Sequence, residues 1–207
     1  KYYIGENASI ELGAISFLFF AGLFLAVGEV CNMIGVVVAV PVSRRLGKRK
    51  TFGLAGVLLA VLSIAFFFVP CTNAGFILML LLQILISICT GIVSPLVWSM
   101  YADVADYARV KDGSSSTGLI FSSGSMAQKF GGAIAGSAVL WLFAAFGLVP
   151  NAASQTESAI LGMKLTMSWI PAAIALLMVF IMVVYPLTKS KMKEIGRQLV
   201  SLQRVED

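Results

Sequence analysis

The sequence contains no histidine and few charged residues: only 12% of its 207 residues are charged, whereas 59% are hydrophobic. Soluble domains carry about 25% charged residues and about 45–50% apolar ones. The composition therefore excludes an ordinary soluble domain and indicates a membrane protein. Without histidine, the commonest general base and the histidine-containing zinc sites are also excluded.

Metal, nucleotide and nucleic-acid sites are not indicated either. The 3 cysteines lack the paired spacing of a metal site, so no metal ligand is predicted. The glycines of residues 113–118 suggest a phosphate-binding loop, but Leu119 and Ile120 stand where Lys and Ser or Thr are required. The net charge of +5 comes from basic residues that flank apolar segments, which is typical of membrane topology and not of nucleic-acid binding.

Five apolar segments are long enough to cross a bilayer as helices, since about 20 apolar residues make one span. The predicted spans cover residues of about 12–42, 51–69, 76–100, 117–148 and 165–187. The last contains Pro171, which membrane helices tolerate when neighbours satisfy the freed backbone. The sequence predicts an all-α integral membrane protein with a bundle over residues 12–188. Because the chain opens on Lys1 without a signal peptide, we expect a fragment of a longer protein.

The basic residues predict the orientation. Of the 15 Lys and Arg residues, 12 lie between the first and second spans, between the third and fourth, and after the fifth. The positive-inside rule then places the N-terminus of the chain outside and its C-terminus in the cytosol of a cell inner or plasma membrane. Residues 189–207 form a cytoplasmic tail of alternating basic and apolar residues. It either lies along the membrane surface or is a solvated tail.

Two charged residues lie deep within the predicted spans. Lys129 follows Thr117 by 12 residues, which places it about 18 Å along its helix. Glu29 precedes Arg44 by 15 residues, or about 22 Å. A lysine at the helix centre costs about 2.5–3.5 kcal/mol on insertion scales, so such residues face a charged partner, water or a substrate.

The similar depths of Glu29 and Lys129 predict a polar cavity near the middle of the bilayer, in which the two charges pair or share a substrate. Asn32 lies one turn from Glu29, and Ser125 lies one turn from Lys129. Gln128 adds a further hydrogen-bonding group. The alternative is a buried ion pair that only fixes helix packing.

An ordered series of motifs carries a family resemblance. These motifs are Tyr101-Ala102-Asp103-Val104-Ala105-Asp106-Tyr107, Lys111-Asp112-Gly113, Gly118-Leu119-Ile120-Phe121 and Ala127-Gln128-Lys129-Phe130-Gly131. The pattern begins at Lys1-Tyr2-Tyr3 and continues to Pro171. It resembles the glycoside-pentoside-hexuronide:cation symporters, the melibiose-permease branch of the major facilitator superfamily.

The resemblance implies that the five spans correspond to helices eight to twelve of a twelve-helix transporter. Residues 1–11 would then form the extracellular end of the preceding helix and a loop. The eleventh-helix lysine of the family, near its sugar and cation sites, falls on Lys129. The coupling cation, sodium or proton, is expected mainly in the N-terminal half, which this chain does not include, and no other cofactor is implied.

A cytoplasmic gate is predicted at the end of the third span. Asp103 and Asp106 share a helix face, which Arg109 continues, although the family often has an acidic residue at that position. The basic partners that hold the gate closed would be Arg44, Arg45 or residues of the missing N-terminal half. Alternatively, these charges only solvate a loop and set topology. The predicted gate residues are Asp103, Asp106, Tyr107, Arg109, Arg44 and Arg45.

The resemblance thus implies the C-terminal half of a cation-coupled sugar or glycoside symporter that works by alternating access. Its partners would be the sugar, the N-terminal half and the lipid bilayer. The rival hypothesis is a membrane structural or assembly subunit whose buried charges only fix helix packing. An intramembrane enzyme is disfavoured because the sequence shows no nucleophile–base pair.

Overall fold

The computed structural model describes residues 20–70, 73–113, 116–150, 152 and 155–206, and within them it contains helices and no strand. The helices are α1 (Phe20–Leu46), α2 (Lys48–Phe67), α3 (Asn73–Asp112), α4 (Thr117–Ala145), α5 (Glu157–Met167), α6 (Trp169–Val184) and α7 (Lys189–Glu206). The predicted all-α class is confirmed. The expected outer segment 1–11 and the start of the first span lie outside the described residues.

Four segments of the described chain are long and apolar enough to cross a membrane. They are Phe24–Leu46, Lys48–Phe67, Ile77–Asp112 and Glu157–Val184. The other predicted span, 117–148, forms helix α4. It is absent from this set of four because its glycine and serine residues, together with Gln128 and Lys129, dilute its apolar residues.

Helix α3 continues beyond the predicted third span. Helix α3 has 40 residues and continues past Met100 to Asp112, so Arg109 and Lys111 lie on a helix and not in a loop. At about 1.5 Å per residue it is about 60 Å long, twice the thickness of a bilayer hydrocarbon core. The charged residues after Met100 end the apolar pattern but leave the helix intact, so the helix is longer than its apolar span.

The last span begins earlier than predicted and is interrupted. It starts at Glu157 instead of residue 165 and breaks at Ser168, between α5 and α6. Pro171 explains the break, because it has no N–H for the carbonyl of Met167 and its ring crowds that carbonyl. The fully buried Ser168 instead donates its hydroxyl to the Lys164 carbonyl at 2.5 Å.

Helix α3 is central and crosses α1 at a point where two glycines meet. A Cβ on Gly35 would lie closer than 3.0 Å to the carbonyl oxygen of Ile88, and a Cβ on Gly91 closer than 3.0 Å to that of Asn32. Glycine at both positions therefore lets the two backbones touch, as small residues commonly do in membrane bundles.

Helix α2 packs on α3 and α6, whereas α4 is largely uncovered. Small residues bring α2 and α6 together, since Ala60, Ala172 and Ala175 are buried between them. Of the residues of α4, only Gly124 is buried, and all side chains from 126 to 138 are exposed. The middle of α4 is thus exposed on every face within the described chain.

Candidate functional site

Five helix ends meet at one end of the bundle, which we call the basic end. It comprises the C-terminal ends of α1, α3 and α6 and the N-terminal ends of α2 and α7. Its basic residues lie in the segments 44–50 and 189–193. Their contacts show that these side chains also hold helices together.

An ion pair connects α2 to α3 at the basic end. Lys48 Nζ lies 2.6 Å from the Asp103 carboxylate and also donates to the Ser99 carbonyl at 3.2 Å. Asp103 is 8% exposed. The partner of Asp103 is thus Lys48 and not Arg44 or Arg45 as predicted, because Lys48 begins α2 and faces α3 whereas the two arginine side chains are exposed on the last turn of α1.

Two further cations bind the C-terminal carbonyls of neighbouring helices. Arg49 donates to the carbonyls of Met182 (2.9 Å) and Val183 (2.5 Å) at the end of α6. Lys189 of α7 donates to the carbonyls of Arg44 (2.7 Å) and Arg45 (3.0 Å) at the end of α1. Helix C-termini carry partial negative charge and unpaired carbonyls, so each cation stabilises the end that it contacts.

The other predicted gate residues lie on the projecting part of α3. Tyr107 has the ammonium groups of Lys111 and Lys191 at 5.8 and 5.4 Å from its ring centroid. The Lys191 contact attaches α7 to α3, whereas Lys111 contacts Tyr107 within α3. Asp106 and Arg109 are exposed. The structure therefore brings Asp103 and Tyr107 into contacts with basic residues but places Asp106 and Arg109 at the surface.

Tyr185, the residue that follows α6, has a buried hydroxyl without a hydrogen-bond partner among the described residues. Burial and, secondarily, the carboxylate of Asp103 raise the pKa of Tyr185 to about 12. An ordinary tyrosine phenol is already neutral near pH 7, so this shift leaves its charge there unchanged.

The Lys48–Asp103 ion pair is expected to show energetic coupling. Because Asp103 is buried, Lys48→Met leaves an uncompensated carboxylate and Asp103→Asn leaves an uncompensated ammonium. The double variant should therefore lose less stability than the sum of the two single losses. We expect a coupling energy of about 1–2 kcal/mol, reduced by the partial exposure of Lys48. Thermal unfolding in detergent measures it.

Asp106→Asn provides the matched control for this cycle, because it removes an exposed carboxylate from the same helix. It should change the unfolding temperature little, and pairing it with Lys48→Met should give additive effects. Additivity between Lys48→Met and Asp103→Asn would contradict the predicted coupling.

The predicted substrate residues on α4 lie on its uncovered surface. Gln128 and Lys129 are exposed, and no ion pair or hydrogen bond forms on Lys129 within the described chain. Ser125 donates to the Phe121 carbonyl of its own helix at 2.9 Å. A Cβ built on Gly132 meets no atom within 4 Å, so the surroundings of Lys129 are open.

Glu29 and Lys129 are not in contact. Glu29 is exposed on α1, which packs mainly on α3, while α4 packs on α3 and α5. Asn32 lies between α1 and α3, where its side-chain amide donates to the Ser87 carbonyl at 3.4 Å. Of the residues expected to form one polar cavity, Asn32 thus serves helix packing, while Glu29 and Lys129 face away from the described bundle.

An aromatic cluster joins α3 to α4. Trp98 stacks on Phe121 at 6.2 Å, and Tyr101 meets both rings edge-on at 5.7 and 6.2 Å. The Tyr101 ring also lies against Gly124, where any Cβ would clash with it. The sequence analysis missed this cluster, although the spacing of Trp98 and Tyr101 by three residues places both on one helix face.

Sequence reasoning also missed the contacts of Lys48, Arg49 and Lys189, which it counted only as topological charges. Their positions just inside helix starts, opposite a neighbouring helix end, were the available signal. Basic side chains commonly bind C-terminal carbonyls. Which carbonyls they reach depends on the packing of distant segments, which one sequence does not specify.

The fold and these contacts define a class: a multi-pass α-helical membrane protein with a charged, interlocked end and an uncovered helix that carries a lysine. The family described as MFS/sugar transport protein matches residues 1–189. The chain belongs to this family, and the resemblance to the melibiose-permease branch of the major facilitator superfamily is confirmed.

Curated relatives agree with this assignment. The chain is 31% identical over 190 residues to the glucuronide carrier protein homolog of Escherichia coli (strain K12), covering 89% of this chain and 41% of the relative. It is 31% identical over 183 residues to the inner membrane symporter YicJ of the same strain, covering 87% of this chain and 39% of the relative. It is also 31% identical over 162 residues to the isoprimeverose transporter of Lactiplantibacillus pentosus, covering 72% of this chain and 32% of the relative.

The chain therefore spans between 32% and 41% of the length of these three relatives, which are named as carriers, symporters or transporters and not as enzymes. No solved structure matches the chain.

Proposed function

We propose that this chain is the C-terminal part of a cation-coupled sugar or glycoside symporter that works by alternating access. Three relatives of the chain are named for glucuronide carriage, symport and isoprimeverose transport. Because the chain covers less than half of each, the proposal includes an N-terminal half that supplies the opposite wall of the substrate site. Transporters of this superfamily place the substrate between two such halves near the bilayer midplane.

The observation that carries the proposal is the uncovered helix α4 with Lys129 in its middle. Lys129 lies about 18 Å from the start of α4 and about 24 Å from its end at Ala145. A lysine at such depth is not stable against lipid, so its exposed side chain requires a polar surface from elsewhere. A second bundle enclosing a polar substrate cavity would supply that surface.

The chemistry of α4 suits a sugar. Hydroxyl groups need both donors and acceptors, which Gln128 and Lys129 offer from adjacent positions with Ser125 one turn away. The open space around Gly132 leaves room for a ligand beside Lys129. Glu29 on α1, at a similar depth, would face the same cavity from another helix and couple to Lys129 through substrate or water.

The basic end is proposed to face the cytosol, as the positive-inside rule indicates. Its ion pair between Lys48 and Asp103 would hold the inner side closed, because one buried contact joins α2 to α3 near the predicted gate. The coupling cation, sodium or proton, would bind mainly in the N-terminal half. Under the rival hypothesis of a membrane structural or assembly subunit, the buried charges would fix helix packing. Glu29 and Lys129 do not form such a pair.

Uptake into membrane vesicles tests this function. Vesicles that contain the complete protein should accumulate a radiolabelled glycoside or hexuronide when an inward sodium or proton gradient is imposed. Collapse of the gradient with an ionophore should stop accumulation but leave slow equilibration. Absence of gradient-driven uptake across a panel of glycosides, pentosides and hexuronides would refute the symporter proposal.

A further inference from the structure

A cavity at the basic end is lined by none of the residues proposed to bind the substrate. It has a volume of about 380 Å³ and lies between the end of α1, the start of α2, the C-terminal part of α3 and the start of α7. Its polar lining comprises Ser43, Arg44, Lys48, Asp103, Lys189 and Lys193. At about 30 Å³ per water molecule it has room for about a dozen waters, and therefore for a small hydrated anion.

The charges around the cavity are unbalanced. Four cations line it, but Asp103 is the one acidic side chain among the lining residues, and it is paired with Lys48 at 2.6 Å. Lys189 contacts only carbonyl oxygens, which leave its formal charge in place. Arg44 and Lys193 make no side-chain hydrogen bond or ion pair within the described chain. Several positive charges in one concave site attract an anion.

The unpaired groups suit a phosphate. The guanidinium of Arg44 offers a planar fork of donors that matches two oxygens of a phosphate group. Lys193 reaches the cavity from a different helix and adds a point charge with three donors. Because these two cations come from α1 and α7, one anion between them would also bridge the two helices.

The location indicates where such a phosphate comes from. Arg44 lies two residues before the end of the apolar segment Phe24–Leu46, at the depth where an apolar span meets the headgroup region. Basic pockets between helices on the cytoplasmic side of membrane proteins bind anionic headgroups. We propose that this cavity binds a phosphate group through Arg44 and Lys193, supplied by an anionic phospholipid headgroup or by free inorganic phosphate.

Binding to the purified, complete protein tests the proposal with two probes. Native mass spectrometry in detergent measures binding of phosphatidylglycerol against phosphatidylcholine, and equilibrium dialysis with radiolabelled inorganic phosphate measures the free anion. The test variant is Arg44→Gln with Lys193→Gln. The matched control, Lys50→Gln with Arg197→Gln, removes two exposed cations that do not line the cavity and so has the same net charge.

We expect the first phosphatidylglycerol to bind about tenfold more weakly to the test variant and about as tightly to the control, since each exposed cation contributes about a factor of three and the two factors multiply. Phosphate binding with the same dependence on Arg44 and Lys193, without selective lipid binding, would identify free phosphate as the source. If the double variant fails to fold, Lys193→Gln alone should weaken binding about threefold.

Two results would overturn the site. One is equal weakening in the test and control variants, which would mean attraction to net charge only. The other is no preference for phosphatidylglycerol over phosphatidylcholine together with no bound phosphate. Neither result depends on transport, so the proposed symport and the phosphate site can fail separately.

Discussion

Replacing Lys129 with alanine is expected to reduce concentrative uptake by about tenfold to a hundredfold while the protein still reaches the membrane. The proposed role gives Lys129 a charge-assisted hydrogen bond to substrate or to a partner across the cavity, which is worth about 1.5–3 kcal/mol. Its side chain packs against nothing in the described chain, so truncation should not disturb the bundle. Uptake normalised to the amount of protein in the membrane measures the effect.

Two controls separate the charge of Lys129 from its size and from general effects of lysine loss. Lys129→Arg keeps the charge but changes the donor geometry, so it should retain part of the uptake. Lys50→Ala removes an exposed lysine at the basic end and should leave uptake near the native level. Normal uptake by Lys129→Ala would remove the main residue from the proposed site.

The sequence was sufficient for the class of this fold because apolar length and charge placement are local properties. Helices are present at the predicted spans within the described residues, and Lys129 was singled out both by its depth and by the family resemblance. The sequence did not predict where a helix continues beyond the end of its apolar residues. Helix α3 continues through Asp103 and Asp106 because charged residues are compatible with a helix outside the apolar layer.

Contacts between distant segments were less predictable. Asp103 pairs with Lys48 instead of Arg44, although all three belong to segments that the sequence placed together. One residue along a helix turns a side chain by about 100°, so the choice among neighbouring cations depends on how α2 is rotated against α3. The pairing of Glu29 with Lys129 was inferred from matched depth, and depth does not specify which faces meet.

The largest loss of stability is expected from Gly91→Ala. The new Cβ would lie closer than 3.0 Å to the Asn32 carbonyl oxygen and 3.0 Å from the Cα of Gly35, and both are backbone atoms that cannot rotate away. Overpacking costs about 1–3 kcal/mol, and a backbone clash belongs at the upper end. We expect the unfolding temperature in detergent to fall by about 5 °C or more.

Gly132→Ala is the matched control, because it makes the same substitution in a membrane helix where a Cβ meets no atom within 4 Å. Its better helix propensity should leave the protein as stable or more stable by about 1 kcal/mol. Similar losses for both variants would show that glycine at these positions acts through helix flexibility and not through close contact. An unchanged unfolding temperature for Gly91→Ala would contradict the predicted crossing.

The same crossing has a mechanical consequence for α3. Pro95 lies four residues after Gly91 and cannot donate to the Gly91 carbonyl, so the helix is weakest in bending where it touches α1. Asp103 lies 12 residues beyond Gly91, or about 18 Å along the helix. A tilt of about 10° there displaces the carboxylate by about 3 Å, enough to separate it from Lys48, while Asp112 moves by about 5 Å. A small bend of α3 at its contact with α1 would thus be sufficient to separate Asp103 from Lys48, the ion pair that we propose holds the inner side closed.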